Sequence, residues 1–307
     1  MTPEYPQEAS KRRWYWQNRY WPLAIGALAA TVILVWALTR GGNGLYPVQM
    51  NGRYGFINRS GKLVISAQFA NAGIFDEGLS PVLVGRAWGY VDKNGRLAIV
   101  PQFDVADPFW DGMALVGSGG KFGFIDRNGR YAINPQFAGA GRFSEGRAPV
   151  STSNRWGYID RSGRFVINPQ FDEAGNFSDG LALIRMGGRY GYIDQSGKIV
   201  INPQFDSAGE FADGLGLVRS GGKYGYIDRD GKYVIQPRFD LAGEFSQGLA
   251  RVKFGNRYGY IDRHGKLVIN PQFDQAGDFT HGLAPVWLGS RQGYIDRDGR
   301  YIWMPTA

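Results

Sequence analysis

Eight glycines, Gly55, Gly89, Gly123, Gly157, Gly191, Gly225, Gly259 and Gly293, recur at an unbroken spacing of 34 residues in a chain of 307. A period between about 20 and 50 residues marks a solenoid or a propeller, where each unit buries its faces only against its neighbours. Glycine numbers 46 in all, yet the glycines keep register with the repeat, so they report turn chemistry and not low complexity. The expectation is one repeat domain with a short segment in front of it.

The copy from Arg189 to Gly222 shows what one unit should build. Tyr190 to Asp194 alternates rings with Gly and Ile, Gln195-Ser196-Gly197 interrupts it, and Lys198 to Asn202 is again β-branched and extended. This predicts a hairpin with a three-residue loop, in which Gly197 takes the left-handed conformation and Asp194 bonds forward to the turn backbone. That loop pairs Asp194 with Lys198, Ile193 with Ile199 and Tyr192 with Val200, leaving both faces apolar, as a sheet covered on both sides requires. Pro203 should end the strand, Phe205 should open a short extended or turn segment, and Gly214 to Val218 should form the last strand.

The other copies hold these columns. The ring before the repeated glycine is Tyr54, Trp88, Phe122, Trp156, Tyr190, Tyr224 and Tyr258, with Gln292 at the end. Two phenylalanine columns, Phe69 to Phe273 and Phe75 to Phe279, are expected in the core. Counted from Gly44, the chain gives eight three-strand meanders joined by a PQFDxAGxF connector. Eight units suit a propeller, whose ring protects its edges; an open β-solenoid is the alternative, favoured by the atypical first and last copies.

Ahead of the repeats, Trp21 to Leu38 is uncharged and largely apolar, long enough as a helix to approach a hydrocarbon core of about 30 Å. Aromatics flank it, and Lys11, Arg12, Arg13 and Arg19 precede it. The positive-inside rule then predicts a cytosolic tail at 1–20, a transmembrane helix at 21–39, a linker at 40–43 and a repeat domain at 44–307 in the periplasm or outside the cell. The alternatives are a buried core helix and a cleaved signal peptide, which fits less well because Ala27-Leu28-Ala29 lies in mid-span and cleavage there would leave apolar residues behind.

The unit W/Y-G-Y-I-D-x-x-G-K-x-V-I-N-P-Q-F-D-x-A-G-x-F-x-x-G-L-A-x-V resembles the bacterial WG-repeat family. Trp88-Gly89 and Trp156-Gly157 carry the naming dipeptide, and Tyr-Gly or Phe-Gly stands in elsewhere. The resemblance covers residues 44–307 and implies a β-repeat array used for binding, with no shared catalytic residues. A weaker likeness, to the aromatic-Gly hairpins of cell-wall-binding repeats, is limited by their shorter period.

The chain has no cysteine, which removes disulfides, thiolate chemistry and cysteine-based metal sites. Its net charge of +8 forms no like-charged block, which argues against a nucleic-acid partner. Loops such as Asp92-Lys93-Asn94-Gly95 lack the further acidic ligands of a calcium loop and are expected to be plain turns. His264 and His281 occupy turn columns held by polar residues in other copies. The carboxylates of the Asp92 column should pair across the hairpin with Arg96 and its equivalents.

No catalytic group, metal site or cofactor is therefore expected. Basic residues gather in three columns, Arg53 to Arg291, Arg59 to Arg297 and Lys62 to Arg300, either for solubility or as an anion-binding strip. Trp110, Trp287 and Gln292 break their columns. Trp110 and Trp287, with Arg53, Arg155, Arg189, Arg257 and Arg291, are the candidate binding surface of a membrane-anchored, extracytoplasmic, non-enzymatic module. Its partners would be a protein or a cell-envelope polymer such as a glycan or anionic chain; an envelope hydrolase is the enzymatic alternative.

Overall fold

The computed structural model describes residues 45–58, 62–279, 282–289 and 291–303, and every regular element among them is a β-strand. The strands form eight antiparallel sheets, each assembled from sequence-adjacent strands. The second sheet sets the pattern: strand a (Asn71–Ala72), strand b (Leu79–Val84), strand c (Ala87–Asp92) and strand d (Leu97–Phe103), paired in that order. A solenoid would pair equivalent strands of successive turns, whereas here all pairing stays inside one sheet, the order of a propeller blade.

The connector is not merely a connector. Its Asn-Ala, Val-Ala or Gly-Ala pair supplies strand a of the following sheet, so most sheets have four strands where the sequence suggested three. In the fifth and sixth sheets strand a lengthens to Glu173–Ser178 and Ser207–Ala212. The first sheet shows strands b, c and d among the described residues. The expected tail, transmembrane helix and linker at 1–43 lie outside those residues, among which no helix is long and apolar enough to cross a membrane.

Among the described residues the hydrophobic core is divided into seven parts, each lying between consecutive sheets. Between the second and third sheets, Leu79, Tyr90, Ile99 and Phe103 meet Ala106, Phe109, Val116 and Ile125. Tyr192 and Ile193, neighbours in strand c with side chains on opposite faces, are both fully buried, so each sheet is covered on both sides. The two phenylalanine columns are core as expected. Phe109, Phe143, Phe177, Phe211, Phe245 and Phe279 each lie against the Tyr or Phe of strand c in the preceding sheet, with centroids 4.7–5.0 Å apart. Among the described residues no such cluster joins the eighth sheet to the first.

Strand d corrects two expectations. It runs through its proline, as in Ile199–Phe205, which contains Pro203. The predicted pairs Asp194 with Lys198 and Ile193 with Ile199 form, but Tyr192 then pairs with Ile201 instead of Val200, and Tyr190 with Phe205. Two register shifts thus bulge the strand, exposing Ile199 and Val200 while Ile201 turns inward. The bulge brings backbone against backbone. A Cβ added at Gly191 would sit 2.5 Å from the Ile201 carbonyl oxygen and 2.7 Å from the Pro203 nitrogen, and the glycines at 55, 89, 123, 225 and 259 are pressed in the same way. The 34-residue glycine spacing is therefore a record of close approach, not of left-handed turns.

Candidate functional site

Both ends of the strands carry ladders of polar contacts that run from sheet to sheet. At the a–b turns the residue before glycine is in the left-handed region, as at Asp111 (φ 53°) followed by Gly112 (φ 77°), a geometry suited to tight hairpins. Its side chain reaches the next turn: Asp111 Oδ2 accepts the Gly146 N–H at 3.1 Å, Asp179 Oδ2 that of Gly214 at 3.0 Å, and Asp213 Oδ2 that of Gly248 at 2.8 Å. The second basic column closes the same junctions. Arg161 donates to the Asp111 carbonyl at 2.7 Å and pairs with its carboxylate, while Arg229 and Arg263 approach Asp179 and Asp213.

The opposite end is stitched by the Asp of the PQFD segment. Asp172 pairs with Arg155 of its own sheet, and its Oδ2 accepts the Gly187 N–H of the next sheet at 2.9 Å. Arg189 pairs with Asp206, Lys223 with Asp240, and Arg257 with Asp274 at 2.7 Å. Of the candidate surface arginines, Arg155, Arg189 and Arg257 are thus about half exposed and ion-paired. Arg53 has Ala70 where its repeats place the aspartate, and the side chain of Arg291 lies outside the described residues.

The carboxylates of the Asp92 column do something other than expected. Asp92 Oδ1 accepts the N–H groups of Asn94 and Arg96, both at 2.9 Å, and the same two contacts recur at Asp126, Asp160, Asp194, Asp228, Asp262 and Asp296. Only Asp160, at 3.3 Å from Arg164, adds the predicted cross-hairpin ion pair among the described residues. Turn N–H donors hold these groups more firmly than an exposed guanidinium can. Hydrogen bonding from Ser162 lowers the Asp160 carboxyl to about 2, and the equivalent Ser196 lowers Asp194. His264 is an exposed turn residue, as expected; His281 lies outside the described residues.

The two tryptophans lie at different ends of the strands. Trp110 is at an a–b turn, where Ser144, Ser178 and Ser246 of other copies donate their hydroxyls to the next sheet, as Ser144 does to the Phe177 carbonyl at 2.7 Å. There the Arg142 guanidinium stacks over the indole at 4.2 Å. Trp287 lies on strand b near the b–c turn and pairs with Gln292, where other copies set a cation over a ring, as Arg219 over Tyr224 at 5.6 Å. Sequence patterning did not identify a third feature, the row of Arg142, Asn176, Glu210, Glu244 and Asp278 at one connector position. Its signal was available: a column whose residue type changes in almost every copy while its neighbours stay fixed.

Among the described residues no three His, Cys, Asp or Glu side chains are grouped to hold a metal ion. Strands from successive repeats, seven inter-sheet cores and two ladders of stitches define an all-β repeat array made of propeller-type sheets. The chain belongs to the family described as WG containing repeat, whose pattern matches residues 54–85, 88–122, 122–156, 156–190, 190–224, 224–258 and 258–289. Comparison with curated proteins returns no match.

Solved structures share the fold, and two illustrate it. The structure described as a eukaryotic initiation factor is 10% identical, with a TM-score of 0.60 over 86% of this chain and 85% of that one. Dihydro-heme d1 dehydrogenase NirN in complex with DHE is 13% identical, with a TM-score of 0.51 over 85% of this chain and 73% of that one. At such identities the likeness is one of architecture alone.

Proposed function

We propose that this protein is a membrane-anchored, non-enzymatic binding or scaffold module that presents its repeat array outside the cytoplasm. The observation that carries the reading is the division of labour among its charged groups. The turn carboxylates of the Asp111 column, the arginines of the Arg161 column and the aspartates of the Asp172 column are engaged in joining sheet to sheet, while the basic column from Lys62 to Arg300 is exposed on the same rigid frame. The anchor rests on the apolar stretch Trp21 to Leu38 and the basic residues before it. Protease added to intact cells should degrade residues 44–307 and spare the tail; full protection with digestion only after lysis would overturn the topology. Hydrolysis of an envelope glycan or peptide by the pure protein, abolished by one carboxylate substitution, would overturn the non-enzymatic reading.

One observation favours an anionic envelope polymer as the partner. Lys62, Arg96, Arg130, Lys198, Lys232 and Lys266 are exposed at the start of the outermost strands, each next to an apolar residue such as Leu97 or Ile199. Retention on isolated envelope material that falls steeply between low and high salt is the expected result.

A further inference from the structure

In the fourth, sixth and seventh sheets one carboxylate joins two donors at the b–c turn end. Oδ1 of Asp172, Asp240 and Asp274 pairs with the cation that opens strand c of the same sheet, Arg155, Lys223 and Arg257 respectively. Oδ2 accepts a turn N–H of the following sheet, from Gly187 at 2.9 Å, Gly255 at 3.0 Å and Gly289 at 2.6 Å. Each seat thus offers one cation and one backbone N–H, placed to fit the two oxygens of a single carboxylate.

The first and third sheets keep the donors but have alanine at the aspartate position. Arg53 and Lys121 open strand c there, and the following b–c turns present the N–H groups of Gly85 (φ 63°) and Ser153 (φ 47°), yet the acid is replaced by Ala70 and Ala138. The backbone frame is unchanged: the Ala70 N–H donates to the Leu83 carbonyl at 2.9 Å and that of Ala138 to Ser151 at 3.0 Å, as that of Asp172 does to Arg185 at 2.9 Å. All these donor and alanine positions are exposed, and among the described residues neither the two cations nor the two turn N–H groups have a partner. Exposed Met50, paired across the hairpin with Arg53, and Val84, beside Gly85, border the first seat. The sheet between the seats differs, for Ala87 replaces the cation and Asp104 holds the Gly119 N–H at 2.8 Å.

We infer that these two seats bind carboxylate side chains of an acidic peptide segment in a partner protein, one at Arg53 and Gly85 and the other at Lys121 and Ser153. The ligand group stands where an aspartate side chain stands in the other sheets, which favours a flexible peptide carboxylate over an acid fixed to a sugar ring. Met50 and Val84 add apolar cover for the methylenes of such a segment. One exposed ion pair contributes little, so affinity comes from engaging both seats with one chain. This rests on the array being a binding module and adds a second surface, at the end opposite the exposed lysines and arginines that begin the outer strands.

The test is calorimetric titration of the full-length protein in detergent with hexaglutamate and with hexagalacturonate, two carboxylate-bearing oligomers. Saturable, salt-sensitive binding of hexaglutamate is expected, tighter than that of the sugar acid. Ala70→Asp with Ala138→Asp supplies each seat with an internal carboxylate, so it should weaken the peptide at least about tenfold without lowering the melting temperature. Asn94→Asp with Asn128→Asp adds the same charge on outer turns, where Asp230 and Asp298 stand in other copies, and should change binding less than about twofold. Arg53→Gln with Lys121→Gln gives the loss from the donor side and serves if the aspartate variant melts early. Absence of saturable hexaglutamate binding, equal binding by the seat variants and the outer-turn control, or preference for hexagalacturonate overturns the proposal. That failure leaves the envelope-retention result standing, because the latter reads the outer strands.

Discussion

Asp111 and Arg161 are 50 residues apart, yet the guanidinium of Arg161 binds both the carbonyl and the carboxylate of Asp111. The same carboxylate holds the Gly146 N–H, so one turn of the third sheet fixes two turns of the fourth. Both side chains are partly exposed, which limits the pair to a modest contribution. A double-mutant cycle with Asp111→Asn and Arg161→Ala should return a coupling of about 0.5 to 1 kcal/mol in urea denaturation. A coupling of zero would mean that the turns are aligned by their backbones alone.

Gly191 and Gly188 lie three residues apart and should respond in opposite ways. Gly191→Ala forces a Cβ onto the bulged strand and should cost about 1 to 3 kcal/mol. Gly188 has φ 79° and open space around it, and its equivalent in the fourth sheet is Asn154 at φ 69°. Gly188→Asn should therefore stay within about 0.5 kcal/mol of the parent, since asparagine visits that region readily. Denaturation midpoints of the two variants decide the matter.

Tyr90, Tyr158, Tyr192, Tyr226 and Tyr260 donate their hydroxyls to a carbonyl 17 residues on, at 2.6–2.9 Å. Burial raises the phenols of Tyr90, Tyr192, Tyr226 and Tyr260 far above the ordinary range, and nearby carboxylates raise them further. Because the folded value exceeds the unfolded one, this contribution to stability is complete below about pH 10 and declines above it. Ultraviolet titration should show these four phenols silent until the protein unfolds in alkali. Tyr226→Phe should cost about 1 kcal/mol by orphaning the Gly243 carbonyl, with Phe124 as the natural precedent for the substitution in the column.

Asp160 titrates at the other extreme. With its carboxyl lowered to about 2 by Ser162 and the turn N–H groups, the stability it confers is present above the unfolded value near 4 and is lost as pH falls toward 2. Carbon-detected NMR should place its midpoint about there, and Ser162→Ala should move it upward. An unchanged midpoint in that variant would assign the effect to the backbone donors.

The sequence disclosed the repeat, the hairpin loop and the core because each rests on a local pattern. Gly197 (φ 87°) and the two bonds accepted by Asp194 follow from three adjacent residues. The bulge at Val200 did not, since alternation alone gives no sign that one strand carries extra residues, and Pro203 looked like a terminus. The partners of Arg155 and Arg161 were hidden for another reason: Asp172 lies 17 residues from Arg155 and meets it only through the bulged pairing of strands c and d, while Asp111 lies 50 residues from Arg161 and meets it only through the stacking of sheets. The inner row was missed because fixed columns drew attention away from a variable one.

The stitches between sheets, such as Ser144 to Phe177 or Asp111 to Gly146, link a sheet only to the one beside it, with the same numerical offset wherever they recur. Duplicating or deleting any 34 consecutive residues within the array would therefore return nearly every donor to an equivalent acceptor, wherever the break fell. Gene-level slippage can lengthen or shorten such a chain without inventing a new interface, and the variable inner row then changes its reading frame of charges one residue at a time.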